Sequence, residues 1–157
     1  MSLSSILEFV RKIDRAYTGA CRQVMEKFGL SKTSVDILMF LADNPECCTA
    51  RDASAMLGIK ANVVSVHVDR LVNEGCLERR PVPEDRRKIR LVCTEKAGPI
   101  IRDGRSAQEK FHRDLEARLT PEDLETFRHC FEVITGNAER MQLEPQPDRN
   151  PGGGRPC

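Results

Sequence analysis

Twelve consecutive residues, Arg79-Arg80-Pro81-Val82-Pro83-Glu84-Asp85-Arg86-Arg87-Lys88-Ile89-Arg90, carry six Lys or Arg side chains against two acids, a local net of +4 in a chain whose total is +1. Charge concentrated in this way on a turn between apolar strand residues suits binding to a polyanion, because cationic groups pair with phosphate oxygens and release their counterions. Directly upstream, Lys60 to Asn73 reads as a helix with Val64, Val68 and Leu71 as its buried stripe, which leaves Asn62, Ser65, Val66 and Asp69 on the other face. An amide, a hydroxyl and a small apolar group are side chains that meet base edges in a DNA groove.

Other chemistries lack their residues. The chain has no nucleophile and base at motif spacing and no phosphate-cradling glycine loop, since Gly152-Gly153-Gly154 sits in a polar, linker-like tail. There is no C-x-x-C and no H-x-x-x-H, and the neighbours His129 and Cys130 point in different directions around a helix. Neither an enzyme, a metal site nor a cofactor is expected. Seven cysteines at irregular spacings, with no secretion signal, imply reduced thiols rather than a disulfide framework. No apolar run approaches membrane-spanning length, so a cytoplasmic chain with no membrane partner is expected.

The elements that must position the basic hairpin are mostly helical. Apolar residues Ile6, Val10, Ile13, Tyr17, Val24 and Phe28 predict one long helix from Ser5 to Phe28, closed by Gly29. Ser31 opens a second helix marked by Val35, Leu38 and Leu41 and closed at Asp43-Asn44-Pro45. Thr49, with Asp52 three residues on, starts a third that Gly58 ends. The turn Gly58-Ile59-Lys60 leads into the helix already described, and two helices joined by a short glycine turn are a helix-turn-helix. Strands of about Leu77 to Arg80 and Ile89 to Cys93, with Pro83-Glu84-Asp85 between them and Ile89, Leu91 and Cys93 on the half-buried face, complete a winged helix. Thr94 then caps a fifth helix to about Arg118 with Pro99 in its first turn, and Thr120-Pro121-Glu122-Asp123 starts a sixth that frays near Gly136.

From Leu30 to about Gly98 the chain resembles the multiple-antibiotic-resistance regulator (MarR) family of bacterial transcription factors. The most specific pieces are Asp69-Arg70-Leu71 followed by Glu74-Gly75, and the wing Pro83-Glu84-Asp85-Arg86-Arg87-Lys88 leading to a strand and Thr94. The outer helices agree in length and order only. The resemblance implies a mainly α fold with a small hairpin: one domain over 1–143, its winged helix at about 31–93 and dimerisation helices at about 5–28, 95–118 and 121–141, then a disordered tail over 144–157. It further implies a homodimeric repressor on a pseudo-palindromic operator in double-stranded DNA, released by a small phenolic or aromatic effector or by thiol oxidation. Between Arg113 and Glu144 eight acids stand against four arginines, so that face should point away from DNA.

By the same resemblance, Arg87 enters the minor groove and Asp85 holds it by a salt bridge. Asn62 and Ser65 contact base edges, while Thr49, Arg51, Lys60, Arg70, Arg86 and Lys88 serve as phosphate contacts. Val66 departs from the family, where Arg or Pro is usual, and is free to touch a thymine methyl. Ala53-Ser54 and Ala97 are milder departures. His67 is expected to be a packed or partly exposed histidine rather than a sensor. Tyr17, Cys21, Met39 and His112 are candidates to line an effector cleft, with plain core packing as the alternative for Tyr17 and Met39. Cys47, Cys48 and Cys76 are candidates for a solvent-accessible thiol switch, whereas Cys93 and Cys130 look like small core residues. Cys21 lies too late in its helix to match the family's peroxide-sensing branch. The rival function is a winged helix that serves protein contact without sequence-specific DNA binding; the charge on the wing argues against it.

Overall fold

Ser31, Thr49 and Thr120 each start a helix, because an unbonded side-chain oxygen just before the first turn accepts one of its orphan N–H groups. Ser31 Oγ accepts from Ser34 N at 3.2 Å, opening α3 (Lys32–Asp43). Thr49 and Asp52 form a reciprocal capping box at α4 (Ala50–Leu57), with Asp52 N donating to Thr49 Oγ1 at 3.2 Å and Thr49 N to the Asp52 carboxylate at 3.0 Å. Thr120 and Asp123 repeat the arrangement at α7 (Pro121–Leu143). The remaining elements are α1 (Leu3–Ala20), α2 (Arg22–Phe28), α5 (Ala61–Asn73), β1 (Leu77–Val82), β2 (Asp85–Cys93), a 3-10 turn at Glu95–Ala97 and α6 (Gly98–Glu116).

The computed structural model describes residues 2–46, 48–82 and 85–143, with the side chains of residues 85–87 and 143 excepted. The expectations for Cys47, for the turn at Pro83 and Glu84, for the Asp85 to Arg87 salt bridge, for Arg86 as a phosphate contact and for the tail 144–157 therefore lie outside the described residues. Of the described residues, those up to Leu115 form one compact unit and those from Glu116 to Leu143 a second.

Four expectations about the elements need correction. The first helix does not run unbroken to Phe28: it ends at Ala20 and restarts at Arg22, around Cys21. Just ahead of the break the Thr18 hydroxyl donates back to the Asp14 carbonyl at 2.8 Å, a bond that loosens a helix turn, and buried Cys21 and Val24 then carry the chain into the core. β2 begins at Asp85 rather than Ile89, so the hairpin is longer than apolar alternation suggested. Thr94 precedes the 3-10 turn with no side-chain cap bond, because its hydroxyl donates to the Gly75 carbonyl at 2.7 Å. Finally, α7 continues without a break through Gly136.

α3 is the centre of the first unit. Val35, Leu38 and Leu41, the face marked by the sequence, are buried, and so are Ile37, Met39 and Phe40, because α2, α4, α5 and β2 surround the helix. α5 closes the core with Val64, Val68 and Leu71, Ala53 enters from α4, and Leu77 and Leu91 enter from the two strands. Burying each of the three α5 side chains is worth roughly 1.5–3 kcal/mol, against about 0.5 kcal/mol for an i,i+4 surface ion pair such as Arg70 with Glu74. The stripe, not the surface charge, holds α5 in place.

Two glycines fix the turns around α5. Gly58 at φ 63° reverses the chain after α4, and Gly75 at φ 73° turns it from α5 into β1, conformations that a Cβ would strain. The antiparallel register of the hairpin pairs Leu77 with Cys93, Arg79 with Leu91 and Pro81 with Ile89, and becomes irregular after Pro81, which has no N–H to give the ladder. Among the described residues, no helix is long and apolar enough to cross a membrane.

Candidate nucleic-acid interface

The helix-turn-helix is fastened from within its turn. Ser54 Oγ donates to the Ile59 carbonyl at 2.7 Å while Ile59 N donates to the Ser54 carbonyl at 3.2 Å, and Ala53 beside it is fully buried. The departure at Ala53-Ser54 noted in the sequence is thus the pair that packs and ties α4 to the turn. α5 follows with Lys60 as its N-cap residue, exposed and making no side-chain cap bond.

Asn62, Ser65, Val66 and Asp69 lie on the exposed face of α5, opposite Val64, Val68 and Leu71. His67 is half-buried between them: its Nδ1 lies 3.0 Å from Ser34 Oγ and 3.3 Å from Ser31 Oγ, which links the middle of α5 to the capped start of α3. Arg70 has a structural position. Its guanidinium donates to Glu74 Oε1 at 2.7 Å and to the Gly29 carbonyl at 2.9 Å, joining α5 to the end of α2. Asp69 forms an ion pair with Arg79, which fastens the base of the hairpin to α5.

Among the described residues, Arg79, Arg80 and Arg90 of the hairpin have partners within the chain. Besides Arg79, Arg80 pairs with Glu78 at 2.8 Å, and Arg90 Nε donates to Cys48 Sγ at 3.0 Å. The backbone follows the same path, since Leu91 N donates to the Cys48 carbonyl at 2.7 Å and so bonds the outer edge of β2 to the segment before α4. Lys88 and Ile89 are exposed. The exposure of Ile89 corrects the half-buried position expected from alternation: Leu91 is the last buried residue of β2, and Ile89 lies beyond it, with only Pro81 opposite.

Between this strand and the start of α4 runs an open groove of about 1390 Å³, with Arg51, Arg80, Lys88 and Arg90 among its lining. Thr49 also lines it, but its hydroxyl is taken by the Asp52 cap at 2.7 Å. Sequence reasoning missed the ties made by Arg79, Arg90 and Ser54. Each joins residues too far apart along the chain, or bonds too local in kind, for periodicity to reveal.

The four residues expected around an effector cleft do not form one cavity. Tyr17 donates to Asp36 Oδ1 at 3.2 Å and accepts from Gln108 Nε2 at 2.9 Å, with Lys32 Nζ 2.9 Å from Asp36 and 5.0 Å from the centre of the Tyr17 ring. Burial pushes the phenol of Tyr17 and the thiol of Cys21 up, despite a hydrogen bond at each that acts the other way. For Lys32, burial opposes the charge but the bond and charge of Asp36, with Asp14 behind, outweigh it and raise the ammonium. Met39 belongs to the core, packed against Gly104, and His112 lines a surface depression of about 380 Å³ together with Arg105, Gln108, Glu109 and Arg113. Gln108 reaches both this depression and the Tyr17 hydroxyl.

The thiols also depart from expectation. Cys48 and Cys76, proposed as accessible, are buried, because Arg90 and β2 cover the first and the turn after α5 encloses the second. Burial holds the Cys76 thiol above its ordinary value and pushes Cys93 up to about 11. Cys130, expected in a core, is exposed on α7. Among the described residues, no group of three or more His, Cys, Asp or Glu side chains is arranged to hold a metal ion.

A profile of the MarR family matches residues 28–88, the span from the end of α2 to the outer part of β2. The chain is 25% identical over 129 residues to an uncharacterised HTH-type transcriptional regulator, YwoH, of Bacillus subtilis (strain 168), covering 82% of this chain and 93% of that protein. The crystal structure of the transcriptional regulator PA3341 superposes with a TM-score of 0.77 at 23% identity, over 86% of this chain and 98% of the other. A DNA complex of Staphylococcus aureus MepR superposes with a TM-score of 0.73 at 14% identity, over 87% and 96%. At these identities the two structures establish the shared fold.

Proposed function

We propose that the chain is a winged helix-turn-helix transcriptional regulator of the MarR family, whose profile matches residues 28–88, and that it binds a pseudo-palindromic operator as a homodimer and represses transcription there. The observation that carries this reading is the joint presentation of α5 and the hairpin. The exposed face of α5 stands beside a wing fastened to it through Asp69 and Arg79 and fastened to the start of α4 through Cys48 and Leu91. Two reading elements locked to one body can approach adjacent grooves together. With Arg79, Arg80 and Arg90 engaged at the base of the wing, the charge for a polyanion concentrates at its outer end, where the sequence has Arg86, Arg87 and Lys88. Arg87 is assigned to the minor groove with Asp85 as its brace, Asn62 and Ser65 to base edges, and Arg51, Lys60, Arg86 and Lys88 to phosphates. Arg70 acts instead through the position of α5.

Release by a small aromatic acid is favoured over thiol oxidation. The open depression lined by Arg105, Gln108, Glu109, His112 and Arg113 offers guanidinium groups to a carboxylate, one of them, Arg105, already paired with Asp43 at 2.6 Å, and a direct bond from Gln108 to the phenol of Tyr17. Cys48 and Cys76, by contrast, are covered.

A gel-shift titration with duplex DNA from the promoter region of its own gene tests both parts. Wild type is expected to bind with steep salt dependence and Arg87→Ala to bind at least about tenfold more weakly, in line with one lost minor-groove anchor. Benzoate is expected to release the wild-type complex but not a Gln108→Ala complex. No binding by wild type, or binding equally strong in the Arg87→Ala protein and indifferent to salt, would leave the protein-contact role of the winged helix as the better account. Release by diamide and not by benzoate would reverse the choice of signal.

A further inference from the structure

Val66 is the least covered apolar side chain on α5, 67% exposed, and Val63 one turn before it is 37% exposed. Val66 stands opposite the buried stripe of Val64, Val68 and Leu71, one turn after Asn62, and Val63 lies on the flank of the same exposed face. The middle of this face has no long donor at liberty to reach a base. Arg70 is held by Glu74 and the Gly29 carbonyl, Asp69 is paired with Arg79, and Lys60 stands before the first turn. What the centre of α5 offers a duplex is one amide, one hydroxyl and two isopropyl groups.

The one methyl group that the bases project into the major groove is the 5-methyl of thymine. An isopropyl group placed over a purine N7 or a cytosine amine removes water from a polar atom and returns no hydrogen bond. Over a thymine methyl it covers apolar surface with apolar surface. Asn62, four residues earlier and so about one helical turn away on the same face, carries the amide that pairs with N6 and N7 of adenine. One turn rises about 5.4 Å and stacked base pairs are about 3.4 Å apart, so the two side chains meet base pairs one or two steps from each other.

On the operator-binding reading above, we propose that Val66, flanked by Val63, selects thymine through its 5-methyl group, in an A·T-rich half-site where Asn62 reads a nearby adenine. The specificity of this protein then rests on a missing polar contact as much as on a made one: a G·C pair beneath Val66 is refused because nothing there satisfies its edge.

The probe is a random-sequence duplex library, from which the full-length protein selects its own sites, followed by resynthesis of the selected duplex with deoxyuridine, which lacks the methyl group, in place of one thymidine at a time. At one or two positions per half-site the replacement is expected to weaken wild-type binding about three- to tenfold, the effect of uncovering one methyl group. Val66→Ala and Val66→Ser, with unchanged thermal midpoints because the side chain is exposed, are expected to lose that penalty. Equal binding of thymidine and deoxyuridine duplexes at every position, or a penalty that survives in both variants, overturns the role of Val66 and leaves the operator reading intact. A library that yields no enriched sequence overturns both.

Discussion

At the scale of single residues, the sequence is most reliable where chemistry is local. A threonine with an acid three positions on is enough to predict a capping box, and Thr49 and Asp52 form one. The bonds from the Thr49 hydroxyl and backbone hold the Asp52 carboxyl below its ordinary value, so its contribution is present above the unfolded carboxylate range and is lost as pH falls through the lowered value. Asp52→Asn is therefore expected to cost about 1 kcal/mol at neutral pH, and the gap to wild type to close below about pH 4, in urea titrations run across that range. A gap unchanged by acid would mean that shape, not charge, makes the cap. Charge counts are less reliable than caps. A net of +4 on the hairpin was legible, but the commitment of Arg79 and Arg90 to partners elsewhere in the protein was not, because Asp69 and Cys48 approach them only through the fold. Thiol exposure failed for the same reason: a loop cysteine such as Cys48 looks accessible until a strand crosses it.

At the scale of elements, periodicity identified which segments are helical and which face of each is apolar, yet it could not say how many sides of a helix are covered. α3 shows the difference, since Ile37, Met39 and Phe40 lie off the marked stripe and are still buried. The closest approach is at Gly104 of α6, where a Cβ would come within 2.6 Å of Met39 Sδ. Exchanging this glycine for alanine raises helix propensity by about 1 kcal/mol, while overpacking a tight core costs about 1–3 kcal/mol. The second effect is expected to win. Gly104→Ala should lower stability in denaturant titrations, and in a Met39→Ala background the same change should be neutral or stabilising. Additive costs in that double-mutant cycle would show that Met39 moves aside freely and that α6 does not press on α3.

At the scale of the whole molecule, each unit leaves a stripe of apolar helix residues exposed among the described residues. On α1 they are Leu3, Ile6, Leu7 and Val10; on α7, Phe127, Phe131 and Ile134, with the two phenyl rings 6.1 Å apart. Stripes of this kind on helices are the surfaces a second copy covers, which fits the homodimer proposed for operator binding. Cys130 lies on the α7 stripe between Phe127 and Ile134, so its exposure in a single chain is what a dimer would remove. Wild type is expected to sediment as a dimer in which Cys130 is alkylated slowly. Phe131→Glu should be monomeric, react quickly at Cys130 and lose operator affinity by about 100-fold, because two linked half-sites no longer bind as one. A wild-type monomer that binds DNA as tightly as this arrangement requires of a dimer would refute it.

The sequence by itself determined the caps, the glycine turns, the apolar stripes and the placing of a basic hairpin after a helix with Asn62, Ser65 and Val66 on its free face. Those features depend on residues within about one turn or one hairpin of each other, where side-chain spacing fixes geometry. Only the tertiary structure decided that Arg79 and Arg90 find partners within the chain, which described thiols are covered, that Arg70 braces α5 against Gly29, and that the helix expected from Ser5 to Phe28 breaks at Cys21. Each of these depends in part on atoms from distant parts of the chain, which meet only when the core around α3 brings them together.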